Sequence, residues 1–133
     1  MNPLGRFSQI YVPTFIKQRQ LKKLFQITGA AFGIEVPRLV GYTYAECLVE
    51  YARFTKYAVE QSIDNQYNLG IARQQLCHQS YELGNKIRRR FDVTTIGDVM
   101  LACGVIYKCL GIEFQGTDEG EITIRNCFFS KYY

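Results

Sequence analysis

Apolar positions recur at helical spacing through most of this chain and switch to alternation only near its end. Four segments carry the helical period. In the first, Phe15 to about Phe32, the residues Phe15, Ile16, Leu21, Leu24, Phe25, Ile27 and Ala31 fit one face poorly at first and better later, with Thr14 as the expected N-cap. Lys17, Arg19, Lys22 and Lys23 fill the other side as a solvated face, and Gly29 and Gly33 suit a frayed end or a close contact. The second segment has the clearest start. Thr43-Tyr44-Ala45-Glu46 has the capping-box pattern, with Glu46 reaching back at N3. Cys47, Leu48, Tyr51, Ala52, Thr55, Ala58 and Val59 then form a buried stripe. Four-residue spacing offers Glu46 and Glu50 no ion pair but joins Lys56 to Glu60.

A polar turn follows over Ser62 to Asn68, with Asp64 or Asn65 as the cap of a third helix from about Gln66 to Arg89. Leu69, Ala72, Arg73, Leu76, Ser80, Leu83 and Ile87 keep helical spacing there, and Gly70, Ala72, Ser80 and Gly84 let another element approach closely. The run Arg88-Arg89-Arg90 suits the negative end of the helix dipole. Thr94 or Thr95 caps a fourth helix with Asp98 in its first turn. That helix is apolar nearly all round, which predicts central burial, and Gly111 is its expected stop.

Alternation then takes over. Ile112-Glu113-Phe114 and Glu121 to Cys127 read as two strands, joined by a loop from Gly116 to Gly120. Ile122 and Ile124 share one face, and Thr123, Arg125 and Cys127 the other. Residues 1–13 read as an irregular arm punctuated by Pro3 and Pro13, with Ile10-Tyr11-Val12 as a short extended piece. The fold class is α+β: about four helices followed by a C-terminal antiparallel β-hairpin, in a single domain over residues 14–133.

Composition changes this picture little. At 133 residues the chain has the length of one domain, with enough apolar content for a core without staples. Ten tyrosines and nine phenylalanines without tryptophan make it rich in aromatics suited to rims and interfaces. A net charge of +4, spread along the chain, is thin for a nucleic-acid binder. No apolar run reaches the ~20 residues of a membrane span, and no signal-peptide core opens the chain. Five cysteines, an odd number, suit reduced thiols in the cytoplasm.

The candidate chemistry is sparse. His78 is the single histidine, and its neighbour Cys77 lies about 100° away around a helix, so the two do not form a nucleophile pair. Cys77 reads as a core thiol, and His78 remains free to serve a cysteine across a cleft. Cys103 and Cys109 diverge on their helix, and no metal-ligand motif is present. Cys127 at the end of the last strand shares a face with Arg125, and a nearby cation lowers a thiol pKa. Asp118, Glu119 and Glu121 read as solvated turn residues, and Gly116 and Gly120 as turn glycines.

Several scattered patterns carry a likeness to a known group. They are Ile106-Tyr107, Leu110-Gly111-Ile112, Gly120-Glu121-Ile122 and Cys127-Phe128-Phe129-Ser130-Lys131-Tyr132, with Pro37 to Gly41, Tyr51 to Thr55 and Leu83 to Arg88 upstream. From about Val36 onward the chain resembles the L-2-amino-thiazoline-4-carboxylic acid hydrolase-like family, itself similar to 4-vinyl reductase-type ligand domains. The resemblance implies a small-molecule pocket between helices and sheet, with cysteines nearby. It also implies a second half with further cysteines, absent here, so a domain truncated at its C-terminus is expected. If catalytic, the implied reaction adds water to a C=N bond and then opens a C–S bond, with Cys127 first among the candidate catalytic residues and Arg125 and His78 as helpers. No cofactor is named by the residues.

A lone hairpin is marginal in water, and its outer strand leaves backbone groups unpaired. The aromatic tail after Cys127 therefore predicts cover by a continued chain or by a second copy, as a homodimer, the alternative being a tail folded back over the fourth helix. Three function classes follow: a small-ligand domain with possible hydrolase activity, a non-enzymatic dimeric ligand sensor or interaction module, and, least supported, a nucleic-acid-binding helical domain using Arg88 to Arg90.

Overall fold

The structure, a computed structural model, describes residues 1–63 and 66–133. Among these the chain runs α1 (Pro3–Ile10), α2 (Thr14–Phe32), α3 (Tyr44–Ile63), α4 (Gln66–Phe91), α5 (Ile96–Cys109), β1 (Glu113–Gly116) and β2 (Ile122–Arg125), closing on a 3-10 turn over Phe128–Lys131. The α+β class and the C-terminal hairpin are as the sequence predicts. The helix count is not, because residues 3–10 form a helix where an irregular arm is expected. The cause is local. The Asn2 side chain accepts from the Gly5 N–H, and Pro3 sits in the first turn, where a missing N–H costs nothing.

Two apolar clusters build the core. One gathers Leu21 and Phe25 of α2, Leu39, and Cys47, Leu48 and Phe54 of α3. Phe25 is fully buried, edge-on to Tyr51 with ring centroids 5.0 Å apart. The other joins Val12, Phe91, Val93 and three α5 residues, Ala102, Val105 and Cys109, with Met1, Ile16 and Ile87 packed against it. Tyr44 links the clusters, since it belongs to the first and its hydroxyl donates to the Cys109 carbonyl at 2.6 Å. Burial, and then the nearby Cys109, push that phenol up to about 12.

The caps are largely where the pattern puts them. Thr95 and Asp98 complete a reciprocal capping box on α5. The Glu46 N–H donates to the Thr43 hydroxyl, but the Glu46 carboxylate accepts from that same hydroxyl rather than from the cap backbone. Thr14 is the first residue of α2, and Pro13 takes the cap position with no side-chain bond. Gly33 and Gly111 adopt the left-handed conformation expected of helix stops. The expected α4 cap, Asp64 or Asn65, lies outside the described residues. Glu50 does find a cation, Arg53 at 3.1 Å, three residues on rather than four. The Lys56–Glu60 pair is present at 3.8 Å.

Burial departs from the sequence reading in several places, and Val59, expected in the buried stripe of α3, is 39% exposed. Helix α5 is not central: one side packs on α1, α4 and β1, while Ile96, Val99 and Leu101 are 61, 47 and 43% exposed. Cys77 on α4 is exposed rather than a core thiol, and Gly70 and Gly84 face open space with no approaching element. Gly116 is a strand residue and not a turn glycine. It lies under Met100, whose side chain an added Cβ would strike.

The hairpin pairs Glu113 with Arg125, Phe114 with Ile124, Gln115 with Thr123 and Gly116 with Ile122. Phe114 stacks flat on Tyr107 of α5, centroids 5.0 Å apart. The Asp118 carboxylate lies over Gly97 in the first turn of α5, where the helix dipole favours an anion. The aromatic tail folds back, but mainly onto α3. Phe129 meets Tyr51 edge-on at 5.9 Å, Phe128 joins the first cluster, and the Tyr133 hydroxyl bonds to that of Thr55.

Candidate ligand cavity beneath the first helix

Helix α1 roofs a cavity of about 260 Å³, walled by α2, α4 and α5. Leu4, Phe7 and Tyr11 come from the roof, Ile16 and Leu24 from α2, Leu83 and Ile87 from α4, and Val105 and Ile106 from α5. The wall is apolar because the inward stripes of four helices meet there. Two of its members, Lys23 and Arg90, are cations exposed at the surface, and Gln20 and Ser8 add polar groups. Among the described residues, none in the lining carries a carboxylate. An apolar cavity with a few placed polar groups is the usual form of a small-molecule site, and this one lies just below the usual range of volume.

The roof is fastened at both ends. At its start the Met1 ammonium pairs with Asp98 at 3.1 Å, and Asn2 donates twice to the end of α4, its N–H to the Phe91 carbonyl and its side-chain amide to that of Arg90. At its far end the Lys108 ammonium donates to the Gln9 carbonyl. Gly5 is buried, with the Phe91 side chain close over it, so α1 lies tight on the end of α4.

Cys109 is the thiol in the wall. Burial pushes its pKa up, and Lys17 and Lys108 only partly oppose this, so it is a neutral packing thiol. Cys103 is likewise raised by burial.

The three residues singled out from sequence lie elsewhere. His78 is exposed on α4, Arg125 is exposed on β2, and Cys127 is half-buried where the 3-10 turn begins. Among the described residues no hydrogen bond or ion pair joins any two of them. The alternation that would put Cys127 beside Arg125 ends at Asn126, which takes a left-handed φ of 50° and turns the chain out of the strand. Arg125 instead borders an open cleft between α5 and the hairpin, with Lys108, Glu113 and Gln115. The three arginines ending α4 diverge: Arg90 reaches the cavity, and Arg88 and Arg89 border a separate depression beside Asp92. Among the described residues no cluster of histidine, cysteine or carboxylate side chains is arranged to hold a metal, and no helix is long and apolar enough to cross a membrane. All five cysteines are free thiols.

Sequence reasoning missed Lys23 and Arg90 as cavity residues, assigning them to a solvated face and to the helix dipole. It missed the roof altogether. The signals were present, in Asn2-Pro3 as a helix start and in Leu4, Phe7, Ser8 and Tyr11 at helical spacing. Comparison with known proteins identifies no relative: no family model, no curated protein and no solved structure matches this chain.

Proposed function

We propose that the chain is a small-molecule-binding domain, and that its ligand is an apolar body with an anionic head group. One observation carries this: the α1-roofed cavity is apolar and, among the described residues, bordered by two cations and free of carboxylates. An anion placed between Lys23 and Arg90 keeps its charge near water while its apolar part is buried, which avoids the cost of burying an unpaired charge. Neutral apolar molecules gain only the burial.

The catalytic form of the reading, ring opening of a thiazoline carboxylate, remains attached to Cys127, with Arg125 and His78 as its helpers. These side chains are not joined to one another and none lines the cavity, so binding ranks ahead of catalysis. Loss of ring-opening activity in Cys127→Ala, with octanoate binding intact, supports the catalytic form. The expected homodimer rests on a different feature, the free edge of β2. Unpaired cysteine thiols are consistent with a reducing compartment, the cytoplasm.

The binding test compares octanoate with octanol by calorimetry, on the native chain and on Ile106→Trp, Lys23→Gln and Arg90→Gln. Octanoate should bind more tightly than octanol, Ile106→Trp should abolish both by filling the cavity, and the charge variants should weaken octanoate alone. Equal affinity for acid and alcohol, or unchanged binding in Ile106→Trp, overturns the reading.

A further inference from the structure

The outer edge of β2 is open. Among the described residues the sheet has two strands, and every residue from Glu121 to Asn126 is exposed, with Ile122 at 55% and Ile124 at 53%. Which backbone groups face that edge follows from the hairpin. The Thr117 N–H donates to the Glu121 carbonyl at 2.9 Å, so Glu121 points its backbone at β1. Strand residues alternate in this respect. Thr123 and Arg125 therefore also face β1, and Ile122 and Ile124 present their N–H and C=O groups to the free edge.

We propose that this edge pairs with the same edge of a second copy, antiparallel and centred on Thr123. The two isoleucines are the outward-bonding residues, and this register sets Ile122 opposite Ile124 of the second copy, so each exchanges both backbone bonds with the other. It also sets Glu121 opposite Arg125 of the second copy, twice over by symmetry. The segment Glu121-Ile122-Thr123-Ile124-Arg125 is thus self-complementary: an acid at one end, a base at the other, like residues between. Among the described residues neither Glu121 nor Arg125 has an ion-pair partner within the chain. The other registers that pair outward groups with outward groups lack this direct apposition of Glu121 with Arg125. Pairing produces a four-stranded sheet in the order β1-β2-β2-β1. Its isoleucines lie on the face that carries Phe114 and Gly116, the face packed on α5. A short edge buries little area, which places the dimer among the weak, concentration-dependent interfaces.

Sedimentation over a concentration series, at low and high salt, tests the pairing. The native chain should shift from monomer to dimer with concentration, less so at high salt. Glu121→Arg and Arg125→Glu should each weaken association by about tenfold or more, since like charges then oppose across the axis. The double variant carrying both reversals should restore it. A non-bonded antiparallel pair sets its Cα atoms about 4.5 Å apart, within disulfide reach. Thr123→Cys should therefore give a disulfide-linked dimer on mild oxidation, well above the level of the native chain with its exposed Cys77. A native chain that stays monomeric throughout, reversals without effect, or a Thr123→Cys chain that cross-links no better than the native one each overturns the proposal.

Discussion

The ammonium of Met1 lies 3.1 Å from the carboxylate of Asp98, the same carboxylate that completes the capping box of α5. One side chain thereby caps the start of α5 and anchors α1. The Thr94 N–H, then the Met1 ammonium, hold the Asp98 pKa down at about 2. A carboxylate with a depressed folded-state pKa stabilises above its unfolded value and loses that contribution as pH falls. Protection of α1 amides should accordingly decline as pH falls from about 4 toward 2, where unpaired carboxylates and then Asp98 protonate. In Asp98→Asn the decline should flatten, with α1 less protected at neutral pH. Hydrogen exchange followed by mass spectrometry reads both.

Lys108 fastens the other end of the roof through the Gln9 carbonyl. Lys108→Met keeps the stem and removes the donor, at a cost of about 1 kcal/mol for such a bond. Octanoate should leave the variant several times faster than the native chain, with the core unchanged. Stopped-flow release into excess native protein measures the rate, and an unchanged rate would show that this end of α1 does not control the opening.

Gly116 tolerates no side chain under Met100. Gly116→Val should destabilise the protein by about 1–3 kcal/mol, the range for overpacking, and should lift the hairpin from α5. Urea denaturation gives the first quantity. Loss of the Tyr107–Phe114 stack, seen as altered ring chemical shifts, reports the second.

Among the described residues Phe25 is the largest fully buried side chain, and it touches both Tyr51 and Phe54. Phe25→Ala should cost about 3–5 kcal/mol. That is a large share of the stability of a domain of this size, so the variant should unfold at a much lower urea concentration.

Helical periodicity located α2 to α5 and alternation located the hairpin, because both depend on spacing along the chain. A threonine cap on α5, at Thr94 or Thr95, and the Gly111 stop were legible for the same reason: a cap is a local event. What spacing does not contain is the identity of the neighbour. Nothing in the α5 pattern says that its Ile96 and Val99 side is left uncovered, or that Gly116 must clear Met100 rather than turn the chain. The cavity was illegible on similar grounds. Lys23 and Arg90 lie 67 positions apart in sequence and share a border only because α2 and α4 pack together. That Cys127 leaves the strand Arg125 belongs to turned on the backbone of one residue, Asn126, whose left-handed conformation no period-two count anticipates.

Helix α1 precedes the rest of the chain, yet its fastenings lie 88 to 99 residues further on. Closing so long a loop is costly until the distant surface exists, so the roof settles after α4 and α5 are built. The contacts that fasten the roof are therefore the same ones that close the cavity on the α1 side. A ligand present during refolding meets an unroofed cleft, whereas a ligand added to the finished protein meets the cavity with α1 already fastened. Octanoate capture should be faster in the first case, and stopped-flow mixing in both orders measures the difference.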